Sequence, residues 1–152
     1  MQIKYAIIFN IEGDEYMDEL IQMLHEEHLT CIVKQKKEIY KEYSNGIKPI
    51  LNLLNCNHLE DALLADKVIG KAAALLMVYG KISAVHTDIL SEHAKKIFDQ
   101  YKIPYTYDLL VPYIINRTKT GMCPMEETVL NIDDPAIALE KLQQKVKELS
   151  KI

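Results

Sequence analysis

Apolar side chains alternate at Ile3, Tyr5, Ile7 and Phe9, the period of a β-strand, and Glu12-Gly13-Asp14 closes that run. The period then lengthens. Met17, Leu20, Ile21 and Leu24 recur at helical spacing through about His28, which predicts an amphipathic helix. Thr30 to Val33 and Glu38 to Tyr43 are β-rich stretches around Gln35-Lys36-Lys37, read as a hairpin closed off by Ser44-Asn45-Gly46, with a short helix from Pro49 to Leu54. From Leu59 to Tyr79 the chain is apolar nearly all round, which predicts one buried central helix ended by Gly80-Lys81; Gly70 and Ala72-Ala73-Ala74 would let it lie close to a sheet. Ile82 to His86 reads as a short strand, Ser91 as the cap of a helix to about Tyr101, and Pro104 to Leu110 as a returning strand. Asp134 and Pro135 begin a last helix whose Leu139, Leu142, Val146 and Leu149 share one face.

Helix, strand, helix, strand after a hairpin implies crossovers onto parallel strands, hence an α/β fold with helices on both faces of a mixed sheet. A length of 152 residues suits a single domain. The 49% hydrophobic and 26% charged composition is that of a globular chain without low-complexity tracts. Net charge is −4 and the densest cationic cluster, Lys34 to Lys37, is broken by Gln35, so neither DNA or RNA nor a membrane surface is expected as partner. The apolar start carries Lys4 and Asn10 and reads as a strand, not a signal. Cys31, Cys56 and Cys123 are odd in number and far apart, which suits free thiols in a cytoplasmic location.

The most unusual text runs from Pro112 to Glu127. It holds the only arginine, Arg117, with Asn116, Thr118, Thr120, Gly121, Cys123, Glu126 and Glu127 close by, after a strand, where ligand-binding loops of α/β folds occur. A polar connecting loop is the equal alternative. A lone cysteine such as Cys123 is more often inert packing than a nucleophile. Lys71 lies among apolar neighbours and requires a partner: an ion pair with Asp66, a snorkelling stem, or a bound anion. His58 and Glu60 spell the H-x-E pair of zinc deaminases, but the accompanying Pro-Cys-x-x-Cys is absent from the next helix start. His25 with His28 reads as a wet helix face; core or surface duty suits His86 and His93.

Gly46-Ile47-Lys48-Pro49, the run Ala65 to Ala74, Val78-Tyr79-Gly80, Ser91-Glu92 and the block from Leu110 to Glu126 containing Asn116-Arg117-Thr118 and Thr120-Gly121-Met122-Cys123-Pro124-Met125-Glu126 carry a resemblance. Over about Tyr16 to Leu130 the chain resembles a bacterial and archaeal domain-of-unknown-function family of the cytidine-deaminase-like superfamily. That resemblance implies a three-layer α/β/α sandwich, with any site at the starts of the two crossover helices. In zinc-dependent relatives those starts carry the metal ligands and a glutamate. Here Asp66 to Lys71 and Leu90 to Ala94 hold neither thiols nor an H-x-E pair, so the fold is expected without the zinc chemistry.

The expectation is therefore an N-terminal strand extension over residues 1–15 and one cytidine-deaminase-like domain over 16–152. The protein is expected to bind a nucleotide or other phosphate-bearing small molecule, with no zinc, no other metal and no cofactor. The rival is a non-catalytic interaction or regulatory module with a filled pocket. Asp66, Lys67, Gly70, Lys71, Ser91, Asn116, Arg117, Thr118, Thr120 and Gly121 are the candidate ligand-binding residues, Lys71 and Arg117 sharing one anion site. Cys123 and Glu126 are the candidate catalytic pair, and Cys123 the most reactive thiol. A homo-oligomer is compatible with the sequence.

Overall fold

The computed structural model describes residues 4–5 and 11–150. Strand β1 (Lys4–Tyr5) precedes helix α1 (Ile11–Glu26), and the hairpin β2 (Cys31–Gln35) and β3 (Glu38–Glu42) leads into α2 (Lys48–Asn55). Then come β4 (Leu63–Ile69), α3 (Lys71–Tyr79), β5 (Ala84–Ser91), α4 (Glu92–Gln100) and β6 (Tyr105–Val111), followed by the short α5 (Pro124–Thr128) and α6 (Pro135–Leu149). The strands form one mixed sheet in the order β1-β6-β5-β4-β2-β3. Strands β4, β5 and β6 run parallel; β2 is antiparallel to β3 and β4, and β1 to β6.

Alternate strand residues feed two cores. Met17, Leu20 and Leu24 of α1 pack with Ile32, Ala65 and Ala84 on one face. Leu64, Val85 and Tyr105 point the other way, into the larger core with Ala74, Leu75, Leu76, Ile97, Phe98 and Leu142 of α3, α4 and α6. Neither helix layer would be stable in water alone, because each owes its order to the apolar face it buries on the sheet.

Several expectations change. Leu59 to Tyr79 is not one helix: its first half is strand β4 and only Lys71–Tyr79 is helical. Leu63, Leu64 and Ala65 are apolar at consecutive positions, as a buried helix is, so over so short a run hydrophobic pattern cannot separate the two. Gly70 makes the break, in extended backbone (φ −102°, ψ −177°). A Cβ there would meet Ile114 Cγ1 at 2.9 Å and the Glu126 carboxyl at 3.3 Å, so the glycine is required by close approach. Strand β5 is longer than Ile82 to His86 and begins later. Glu12-Gly13-Asp14 lies in α1 rather than ending a strand. Of the alternating opening set, only Tyr5 lies within the described residues.

The alternation also slips once, at the same level in all three parallel strands. Leu64, Val85 and Tyr107 face the larger core, yet so do Ile69, Leu90 and Leu110, an odd number of residues further on. At the slip the Val68 amide donates to Asp66 Oδ1 (3.1 Å) and the Thr87 hydroxyl to the Ile89 carbonyl (2.9 Å). Asp88 and Asp108 share that level, bracketed by the pairs Thr87–Tyr107 and Ile89–Leu109.

Candidate functional site

The C-terminal ends of β4 and β5 deliver Gly70-Lys71 and Ser91 to one point, and Glu126 fills it. Glu126 is 1% exposed. Its Oε1 accepts from the Lys71 amide (3.0 Å) and the Ser91 hydroxyl (2.5 Å), and its Oε2 from the Ile114 amide (2.5 Å). The Ser91 oxygen meanwhile accepts from the Ala94 amide (3.1 Å), capping α4 and leaving its one proton for Glu126. A carboxylate at the first amide of α3 is the favoured charge at a helix N-terminus. The chain thus supplies its own anion where the sequence predicted a bound one. Short helix α5, unforeseen in the sequence, holds Glu126 in place behind its N-cap residue Cys123 and Pro124.

The loop before α5 is closed on itself. Ile115 and Met122 form an antiparallel bridge, and the Asn116 amide donates to the Gly121 carbonyl (2.8 Å). Asn116 Oδ1 accepts from the Thr120 amide and the Thr118 hydroxyl, Asn116 Nδ2 donates to Thr120 Oγ1, and the two threonine hydroxyls bond each other at 2.8 Å. Lys119 takes a left-handed φ of 60° at the tip. These polar groups satisfy one another rather than pointing at the Gly70–Ser91 region. Arg117 is exposed and forms no ion pair among the described residues.

Lys71 finds its partners within the chain. Its partner is not Asp66. The ammonium donates to the Leu130 carbonyl (2.8 Å) and pairs with Asp133 Oδ1 (2.8 Å); the lysine side chain is 6% exposed and that of Asp133 64%. This pair stands at the edge of a cleft of about 490 Å³ lined by Lys71, His93, Lys96, Gln100, Asn131 and Asp133, among others. Of the candidate ligand-binding residues, only Lys71 lines it. His93 and Lys96 occupy the cleft side of α4 at i, i+3; that spacing was the one available signal for them. Asp133 and the Leu130 carbonyl arrive through α5 and the turn before α6.

Asp66 faces Cys31 across the β2–β4 pair. Burial pushes the Asp66 carboxyl up to about 7, against the lowering effect of the Val68 and Lys67 amides. Burial and Asp66 together push the Cys31 thiol well up, which makes it a poor nucleophile. Lys67 is half-buried on the same strand. Cys56 is exposed and Cys123 partly so. His58, half of the H-x-E pair, stacks on Tyr40 with ring centroids 3.7 Å apart.

The sheet order, the crossover helices and a self-supplied carboxylate at the end of β4 define the class: an α/β domain with a mixed sheet and a polar site at the carboxyl ends of its parallel strands. Residues 19–146 match the sequence profile of a domain of unknown function, DUF1893, and the chain belongs to that family. A crystal structure of a DUF1893 family protein, TM1506 from Thermotoga maritima, is similar over 97% of each chain with a TM-score of 0.79 at 23% identity, a likeness of fold. No curated protein matches the chain. The two-residue strand β1 precedes the matched stretch. Among the described residues no helix is long and apolar enough to cross a membrane.

Proposed function

We propose that this domain binds a phosphate-bearing small molecule, a nucleotide being the leading class, in the cleft beside Lys71, on a cytidine-deaminase-like scaffold that lacks the zinc ligands. The carrying observation is the Lys71 ammonium: buried, at the wall of a cleft, and matched by a carboxylate on an exposed residue. A buried cation whose counter-ion sits in solvent can exchange that counter-ion for a ligand phosphate without leaving a charge unpaired. Lys96 and His93 line the same cleft and add donors. The scaffold reading draws on the sequence resemblance and on the element order, a hairpin followed by two β-α crossovers. The cleft and the latch that Glu126 makes with its three donors are parts of a cytoplasmic, ligand-binding or non-zinc enzymatic domain; the latch holds the architecture, and Cys123 at the N-cap of α5 is the group nearest in sequence that is free to react.

The interaction-module alternative draws on one observation, Glu126 filling the position where superfamily relatives act. One experiment separates them. ADP and inorganic pyrophosphate are titrated into the full chain, with melting temperature and heat of binding as readouts, beside Lys71→Met and Lys96→Met. A rise in melting temperature that both variants abolish or weaken supports the cleft. No response from the wild type to either probe, or an unchanged response in both variants, overturns it in favour of the module.

A further inference from the structure

On the opposite face of the sheet, under α1, lies a second polar group of residues that the proposed function does not use. His86 and Asp88 alternate on β5, and Asp108 stands beside Asp88 on β6. Ligand-capable atoms of the three lie within 4.8 Å of one another. Two acids on adjacent strands repel, and such a pair is destabilising unless a cation offsets it. Lys67, the β4 residue at this level, forms no ion pair with either among the described residues; His25, half exposed on α1, bonds only the outer oxygen, Asp88 Oδ2, at 2.7 Å.

The buried atoms point to what is missing. His86 is 3% exposed, and its Nδ1 is 2.7 Å from the Thr106 hydroxyl, which fixes the ring. Its Nε2 has no hydrogen-bond partner among the described residues, and neither has Asp88 Oδ1, 3.6 Å away. Two unsatisfied buried polar atoms facing each other are rare, because each forfeits the full hydrogen bond it had in water. A protein proton placed between them would satisfy one donor and one acceptor but leave the Asp108 charge beside Asp88.

We propose that His86 Nε2, Asp88 Oδ1 and a carboxylate oxygen of Asp108 ligate a divalent first-row transition cation on the α1 face of the sheet. The cation supplies the charge that two acids require and the partner that both orphaned atoms lack. One imidazole with two carboxylates suits the ions from Mn²⁺ to Zn²⁺, whereas Mg²⁺ and Ca²⁺ prefer all-oxygen sets. Thr106 on the far nitrogen of His86 and His25 on the far oxygen of Asp88 are the outer partners that orient metal ligands. Three protein ligands leave coordination positions open, and the quarter-exposed side chain of Asp88 gives solvent access. This site is unrelated to the zinc position of deaminases, which the helix starts would have to supply on the other face.

The test uses the full chain stripped with chelator, titrated calorimetrically with Zn²⁺ and with Mn²⁺, and with Co²⁺ to read ligand-field absorption in the visible. One equivalent binds, the melting temperature rises, and Asp108→Asn and His86→Gln each weaken binding by at least about tenfold. Lys71→Met, across the sheet, leaves it unchanged, so failure here and failure of the cleft are separate results. Asp108→Asn keeps side-chain size at a half-buried position, so it reports on binding even if the His86 variant fails to fold. No binding of any of the three ions by the wild type, or binding undiminished in Asp108→Asn, overturns the site.

Discussion

Glu126 makes the strongest claim on stability, and Glu126→Ala tests it. Removing the carboxylate strips the acceptor from the Lys71 amide, the Ile114 amide and the Ser91 hydroxyl at once. An orphaned buried donor costs about 1–3 kcal/mol, so three of them cost about 3–9 kcal/mol, less whatever water restores at the half-buried Ile114. That is a large part of the roughly 5–15 kcal/mol by which a domain of this size is stable. Glu126→Gln is gentler: one amide oxygen still serves Lys71 and Ser91, but its NH₂ group meets the Ile114 N–H, donor against donor, for about 1–3 kcal/mol. Urea unfolding of the three proteins, followed by circular dichroism, gives the midpoints and slopes. The expected order is wild type, then Gln, then Ala. If Glu126→Ala lies within about 0.5 kcal/mol of wild type, as surface changes do, the latch is not structural and the residue returns to candidacy as a catalytic group.

Asp66 gives the pH dependence. Its carboxyl is raised from 3.8 to about 7 in the folded chain, so between those values the folded state binds a proton the unfolded state does not, and stability falls as pH rises through that window. The full gap corresponds to about 4 kcal/mol, so Asp66→Asn should be more stable than wild type above neutrality by a few kcal/mol and lose that advantage near pH 4, read from melting temperatures; parallel pH profiles would refute it. Native alkylation with peptide mapping should leave Cys31 unmodified while Cys56 and Cys123 react; early labelling of Cys31 would contradict its burial between α3-side core and Asp66.

Periodicity located the amphipathic helices and the hairpin because in them one face is wet and the pattern is visible. It failed on Leu63–Ile69, where Leu63, Leu64 and Ala65 are apolar at consecutive positions and a strand and a helix look alike. Capping was legible: Ser91 and Asp134 accept from the amides that their positions predicted. The site was legible as residue types and not as partners. Gly70, Lys71, Ser91 and Glu126 were all singled out, but that the first three converge on the fourth depends on a contact across 55 residues between Lys71 and Glu126. The pairing of Lys71 with Asp133 spans a similar distance and has no local signature. Asp88 and Asp108 escaped notice for the same reason, since their adjacency follows only from the β5–β6 register.

Lys71 joins the latch to the cleft. Its main-chain amide is held by Glu126, and its ammonium reaches the Leu130 carbonyl and Asp133, which follow Glu126 in the chain. Residues 126–133 therefore grip one lysine at both ends, backbone through α5 and side chain through the turn before α6. An anion that took the ammonium from Asp133 would release the outer grip while leaving the inner one intact, because the Glu126 bonds are buried and the Asp133 side chain is not. On the proposed reading, this division lets a protein with a glutamate already seated at its helix N-terminus bind an anion all the same. The amides that an anion would ordinarily use are committed to folding, and the charge that remains available is displaced one side-chain length outward, to the wall of the cleft.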